Sequence, residues 1–87
     1  MQQKECPAGK EFVFRTPDNK EAGRAKTVRE LFVNIQSAPL SSVLYHANSK
    51  HFSPWLEMMG EHILSIKAKA IYGTDEKVRV ALLRLQK

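Results

Sequence analysis

Residues 11–30 read EFVFRTPDNKEAGRAKTVRE, and the fold turns on how this stretch is read. Glu11 to Thr16 is dominated by β-branched and aromatic residues, the composition of a strand. Pro17-Asp18-Asn19 is turn chemistry: proline is barred from a central strand, and Asp and Asn tolerate the positive φ of a tight hairpin turn. Lys20 to Lys26 then returns as a second strand. With Asp18-Asn19 as a two-residue loop, Phe12 stands opposite Ala25 and Phe14 opposite Gly23. Both rings share one face, because alternate residues of a strand point the same way. Gly23 and Ala25 leave room on that face for a helix to approach closely, while Glu11, Val13, Arg15, Ala22, Arg24 and Lys26 form a wet, mildly basic opposite face. Thr27-Val28-Arg29-Glu30 closes the stretch as a capping box, with Thr27 accepting from a first-turn amide and Glu30 reaching back to the amide of Thr27.

The helix opened by that box buries Val28, Leu31, Phe32 and Ile35 and must stop near Ala38, since the residue before Pro39 is biased away from helical angles. Ser41 is expected to cap a second helix with Val43, Leu44 and Ala47 on one face. Ser53-Pro54 reads as a third start, cap followed by first helical position, with Trp55, Leu56 and Met59 apolar and Gly60 as the stop. Glu61 to Tyr72 fits either a helix or an alternating strand. Its alanines, lysines and length favour helix, with Ile63, Leu64, Ile66, Ala70 and Ile71 as its apolar positions. Gly73 ends it, Thr74 caps a last helix, Asp75 and Glu76 sit in the first turn, and Val78, Ala81, Leu82 and Leu85 form the buried stripe, with Arg84 and Lys87 at the C-terminal end. The expected fold class is α+β, an N-terminal β-hairpin packed on about five short α-helices. A lone hairpin is not stable in water, so the Phe12/Phe14 face must pack on helices, first among them the one starting at Val28 and the last one.

The chain has 87 residues, room for one domain, assigned to residues 11–87 behind a flexible polar arm, 1–10, that contains Pro7 and Gly9. Its apolar fraction of 43% and charged fraction of 26% are those of a folded globule. No apolar run is long enough to span a membrane, and Met1-Gln2-Gln3-Lys4-Glu5 lacks the apolar core of a signal peptide. Cys6 is the only cysteine, so no internal disulfide forms and a reducing, cytoplasmic setting is expected. The formal net charge of +5 attracts anionic partners, though its fourteen Lys and Arg are scattered singly.

The motifs Phe12-Val13-Phe14-Arg15-Thr16-Pro17-Asp18, Gly23-Arg24-Ala25, Leu44-Tyr45-His46 and His51-Phe52-Ser53-Pro54-Trp55-Leu56, in that order, resemble a small uncharacterised domain family of archaea and bacteria. Its pattern is F-x-F-R-x-P-D-G, G-x-A, Y-H and H-F-S-x-W-L before a helical tail. Asn19 replaces the usual glycine of the turn, and Asn is the next-best residue for positive φ. The resemblance covers most of the chain. It implies a domain that occurs alone or appended to larger proteins, some connected with sugar or phosphoenolpyruvate metabolism, and hence an accessory or regulatory module. It implies no specific activity.

Tyr45, His46, His51 and Trp55, with Phe52 and Ser53, put two imidazoles, a phenol, a hydroxyl and an indole close together in sequence. They read either as a small-molecule or partner-binding pocket or as core filling between short helices, and aromatic dominance of small cores favours the second. His46, His51, His62 and Cys6 follow no metal-ligand spacing, the four glycines are isolated and form no phosphate loop, and Ser53 with His51 lacks an orienting acid. No catalytic residue, metal ligand or cofactor is therefore assigned. The basic hairpin residues Arg15, Lys20, Arg24 and Lys26 are the candidates for a nucleic-acid contact, diluted by Glu11, Asp18 and Glu21. The expectation is a non-enzymatic binding or regulatory domain acting through protein association. Nucleic-acid binding by the hairpin and small-molecule binding around Tyr45, His46 and Trp55 are the alternatives.

Overall fold

The hairpin forms in the register its two phenylalanines require. Phe12 pairs with Ala25, Val13 with Arg24 and Phe14 with Gly23 in a two-stranded antiparallel sheet, β1 (Phe12–Arg15) and β2 (Glu21–Ala25). The turn is one residue longer than the sequence suggests. The Thr16 amide donates to the Lys20 carbonyl (2.9 Å) and the Asn19 amide to the Thr16 carbonyl (2.8 Å), which encloses Pro17, Asp18 and Asn19, with Asn19 at φ 69°. The expected register nevertheless holds, because Arg15 pairs with Glu21 and Ala22 bulges out between the two halves of the ladder.

The computed structural model describes residues 5–86. After the hairpin come α1 (Val28–Ser37), α2 (Leu40–Asn48), α3 (Phe52–Met58), α4 (His62–Lys69), α5 (Lys77–Leu83) and a closing 3-10 turn, Arg84–Gln86. This is the expected α+β order. Residues 1–4, part of the expected arm, and Lys87 lie outside the described residues. The remainder of the arm is tied to the domain: the Cys6 amide donates to the Lys26 carbonyl (2.8 Å) and the Trp55 indole N–H to the Lys10 carbonyl (2.8 Å). Among the described residues no helix is long and apolar enough to cross a membrane.

The capping box at α1 forms with one change of partner. The Glu30 amide donates to Thr27 Oγ1 (3.1 Å), but the Glu30 carboxylate takes the amide of Lys26 (2.8 Å) rather than that of Thr27. Three other start signals resolve differently. The first turn of α2 begins at Leu40 with Pro39 at its cap, so Ser41 lies inside the helix. His51 stands at the cap of α3, which shifts Ser53 and Pro54 into the first turn; proline is still tolerated there because first-turn amides lack intrahelical partners. At α5, Asp75 rather than Thr74 accepts from the first-turn amide, that of Lys77 (3.0 Å), and both Asp75 and Glu76 precede the helix.

The core joins Phe12, Phe14 and Ala25 of the hairpin to Leu31, Phe32, Ile35, Val43, Phe52, Leu56, Val78 and Leu82. Strand β1 packs on α2 and β2 on α1, while α5 closes the other side of α1 and α2. The Phe12 ring meets α2 and α3 through His46, Phe52 and Trp55, and the two expected partners, α1 and α5, contribute to the same core. At Gly23 the side chain of Asn34 on α1 lies against the hairpin backbone. A Cβ at position 23 would overlap the side-chain amide of Asn34, whose Nδ2 bridges the carbonyls of Arg24 (2.8 Å) and Glu30 (2.9 Å). Gly23→Ala is therefore expected to destabilise the domain by about 1–3 kcal/mol through overpacking, measured by urea denaturation.

Candidate functional site

The four residues singled out around positions 45–55 do come together, because of how α2 ends. The His51 amide donates to the His46 carbonyl (2.9 Å) and the Lys50 amide to the Ala47 carbonyl (3.1 Å), a Schellman exit in which Lys50 takes the left-handed position at φ 57°. That exit folds residue 51 back over residue 46. The imidazoles meet Nδ1 to Nδ1 at 2.9 Å, with Tyr45 5.5 Å from His51 between ring centroids. A spacing of five residues, which matches no pair on one helical face, thus becomes a contact across a helix terminus.

His46 is 4% exposed. Its Nε2 accepts the backbone N–H of Arg15 at 2.8 Å, so its proton sits on Nδ1 and is donated to Nδ1 of His51. A neutral His51 then carries its own proton on Nε2. The ring of His46 also packs edge-on against Phe12 (centroids 5.0 Å apart), which stacks on Phe52 (5.0 Å) and meets Trp55 edge-on (5.9 Å). Burial first, then the neighbouring His51 and Arg15, pull the His46 pKa down to about 4.

This arrangement is mostly core. His46, Phe52 and Trp55 are buried, and the polar atoms of His46 and Trp55 are already bonded within the protein. An open groove of about 370 Å³ lies above them, lined by Glu11, His51, Pro54 and Met58 among others. Tyr45, 39% exposed, and His51 are the residues of the four that meet solvent.

The other sequence candidates lie apart. Ser53 Oγ is buried against Ser65 Oγ (2.7 Å) at the contact of α3 with α4, away from the exposed ring of His51. His62 pairs with Glu57 (2.8 Å) on the surface, and Cys6 sits beside Lys26 with its thiol pKa raised, chiefly by burial. Among the described residues no three His, Cys, Asp or Glu side chains converge as metal ligands would. On the hairpin, Arg24 grips Glu21 with two nitrogens (2.7 and 3.1 Å) and Lys20 lies 3.8 Å from Asp18. Arg15 is half-buried, leaving Lys26 exposed at the end of the strand.

Sequence reasoning missed the main-chain partners, the Arg15 amide and the Lys10 carbonyl, which no residue type announces. It also missed Asn48, whose side-chain amide bonds the carbonyl (2.8 Å) and the amide (3.0 Å) of Gly73. The signal for Asn48 was its place at the end of α2, where a short amide side chain can bond a neighbouring loop. No family model, curated protein or solved structure matches the chain.

The depressed His46 pKa makes folding pH-dependent. The unfolded chain, with an ordinary imidazole, takes up a proton near pH 6.5, whereas the folded protein resists until about pH 4. The associated stability is fully present above pH 6.5 and is lost as pH falls toward 4, by on the order of 2–3 kcal/mol. Glu21 and Glu57, held below the usual carboxylate range by hydrogen bonds from Arg24 and His62, add their losses at lower pH. Urea denaturation at a series of pH values is expected to show this slope. His46→Leu is expected to flatten it between pH 6.5 and 4, and to cost about 1–3 kcal/mol at neutral pH through the orphaned Arg15 amide.

Proposed function

We propose that this domain is a non-enzymatic binding module that acts by protein association through α4. The observation that supports this is the inverted burial of that helix. Its buried residues are Ser65 and Ala68, whereas Ile63 is 62% and Ile66 52% exposed. Ile63, Ile66, Lys67 and Ala70 fall within one arc of the helix surface, and all four are exposed. Two isoleucines left in water on one short helix, while its serine and alanine face inward, are expected where another surface covers them.

The partner that fits is a protein with an apolar patch rimmed by carboxylates. Lys67 lies inside the arc, and the chain carries +5, so a second copy would bring like charge to the same contact. The resemblance to appended accessory domains is in keeping with this reading. A groove over His51 whose neighbouring donors are already engaged favours small-molecule binding less.

The test is photo-crosslinking in cells with benzoylphenylalanine in place of Ile63, and in place of exposed Gln36 on α1 as control. One acidic protein captured from position 63, not from 36, and lost in the Ile66→Asp background, is the expected result. Identical products from both positions, or a product made only of this chain, would overturn the proposal. Ile63→Ser with Ile66→Ser is expected to change stability by less than about 1 kcal/mol, since neither side chain belongs to the core.

A further inference from the structure

Tyr72 is the most exposed large apolar side chain among the described residues, at 68%. It stands on the loop between α4 and α5, and that loop is held from below. Asn48, the last residue of α2, donates from Nδ2 to the Gly73 carbonyl (2.8 Å) and accepts at Oδ1 from the Gly73 amide (3.0 Å). The neighbouring backbone is thereby bonded on both sides by one side chain, and the ring is displayed from a fixed position.

Lys50 stands over the ring, its ammonium 5.1 Å from the centroid, and the same ammonium donates to the Lys69 carbonyl (3.2 Å). The backbone at Lys50 is unusual. Both α2 and α3 end in Schellman exits; after α3 the left-handed position is glycine, Gly60 at φ 83°, and after α2 it is Lys50 at φ 57°. A side chain is strained there relative to glycine, and at position 50 the strained residue sets a cation over one face of an exposed aromatic ring. Tyr72 also lines a cleft of about 450 Å³ with Lys77 and Thr74. The one carboxylate lining that cleft, Asp75, accepts the Lys77 amide, and Glu76 is paired with Arg79 at 2.9 Å.

A displayed aromatic ring with one ammonium over it and a second lysine lining the adjoining cleft suits a single nucleic-acid strand: a base stacks on the free face of the ring while phosphates meet the cations. A duplex hides its base faces and matches this surface less well. We propose that the Tyr72 surface binds single-stranded nucleic acid, one base stacking on Tyr72 and the adjoining phosphates meeting Lys50 and Lys77. The site differs from the hairpin, whose Arg24 and Lys20 already have carboxylates beside them, and it uses none of the α4 isoleucines. The two proposals therefore stand or fall separately.

The test is fluorescence anisotropy with a labelled oligouridylate of about 15 nucleotides, at low and moderate salt. Salt-sensitive binding is expected, weakened about tenfold or more by Tyr72→Ala and retained by Tyr72→Phe. Lys50→Gly separates binding from folding. Glycine relieves the backbone, so this variant is expected to melt no lower than the parent, yet to bind more weakly with a shallower salt dependence. Four outcomes would overturn the proposal: no binding at low salt; binding unaffected by Tyr72→Ala and Lys50→Gly but lost in Arg24→Ala; equal affinity for duplex; or competition by uridine monophosphate as effective as by the oligomer.

Discussion

The hydrogen bond from the Arg15 amide to Nε2 of His46 joins the two halves of this molecule. It is the point where the last residue of β1 meets α2, and it lies at the edge of a layer formed by Phe12, Phe14, Phe52 and Trp55. A two-stranded hairpin has no independent stability, so its persistence depends on that layer. The imidazole suits the position because it combines an aromatic body, which packs edge-on against Phe12 and Phe14, with a ring nitrogen that accepts the strand amide of Arg15. A phenylalanine would fill the space and orphan the amide; a glutamine would satisfy the amide and pack poorly. The consequence is a histidine that must stay neutral, which links the integrity of the hairpin to pH.

The ends of α2 and α3 set most of the remaining geometry. Each helix turns back on itself through the same pair of terminal bonds, and each exit delivers the next helix start immediately. After α2 the exit brings His51 onto His46 and lifts Lys50 toward Tyr72; after α3 it leads through Gly60 into α4. The α3–α4 contact is then sealed by two serines: the Ser65 hydroxyl donates to the Ser53 carbonyl (3.0 Å) and accepts from the Ser53 hydroxyl (2.7 Å), so both buried hydroxyls are satisfied. Small residues are what such an approach admits. The isoleucines of α4, Ile63 and Ile66, lie on the outer surface instead.

Much of the fold was legible in the residues themselves. The alternation Phe12-Val13-Phe14, the turn chemistry of Pro17-Asp18-Asn19 and the Thr27–Glu30 box are local features, and local stereochemistry acts the same way in a chain fragment as in the finished protein. They determined the hairpin, its register opposite Ala25 and Gly23, and the start of α1. The spacing Leu31, Phe32, Ile35 determined which side of α1 is buried. Ser41, Ser53 and Thr74 misled because a cap residue is chosen by where the first turn can dock, and that is settled by packing a few residues away.

The sequence by itself therefore determined the α+β class, the element order and the aromatic identity of the core. Only the tertiary structure decided that the five-residue interval between His46 and His51 is a contact, that Phe12 of β1 meets the rings of α2 and α3, and that Ser65 and Ala68, not Ile63 and Ile66, face inward. The physical reason is common to all three. Hydrophobicity and periodicity say which residues gain by leaving water, but the depth available at each helix contact and the main-chain groups that need partners belong to the assembled chain, and these chose which side chains were admitted.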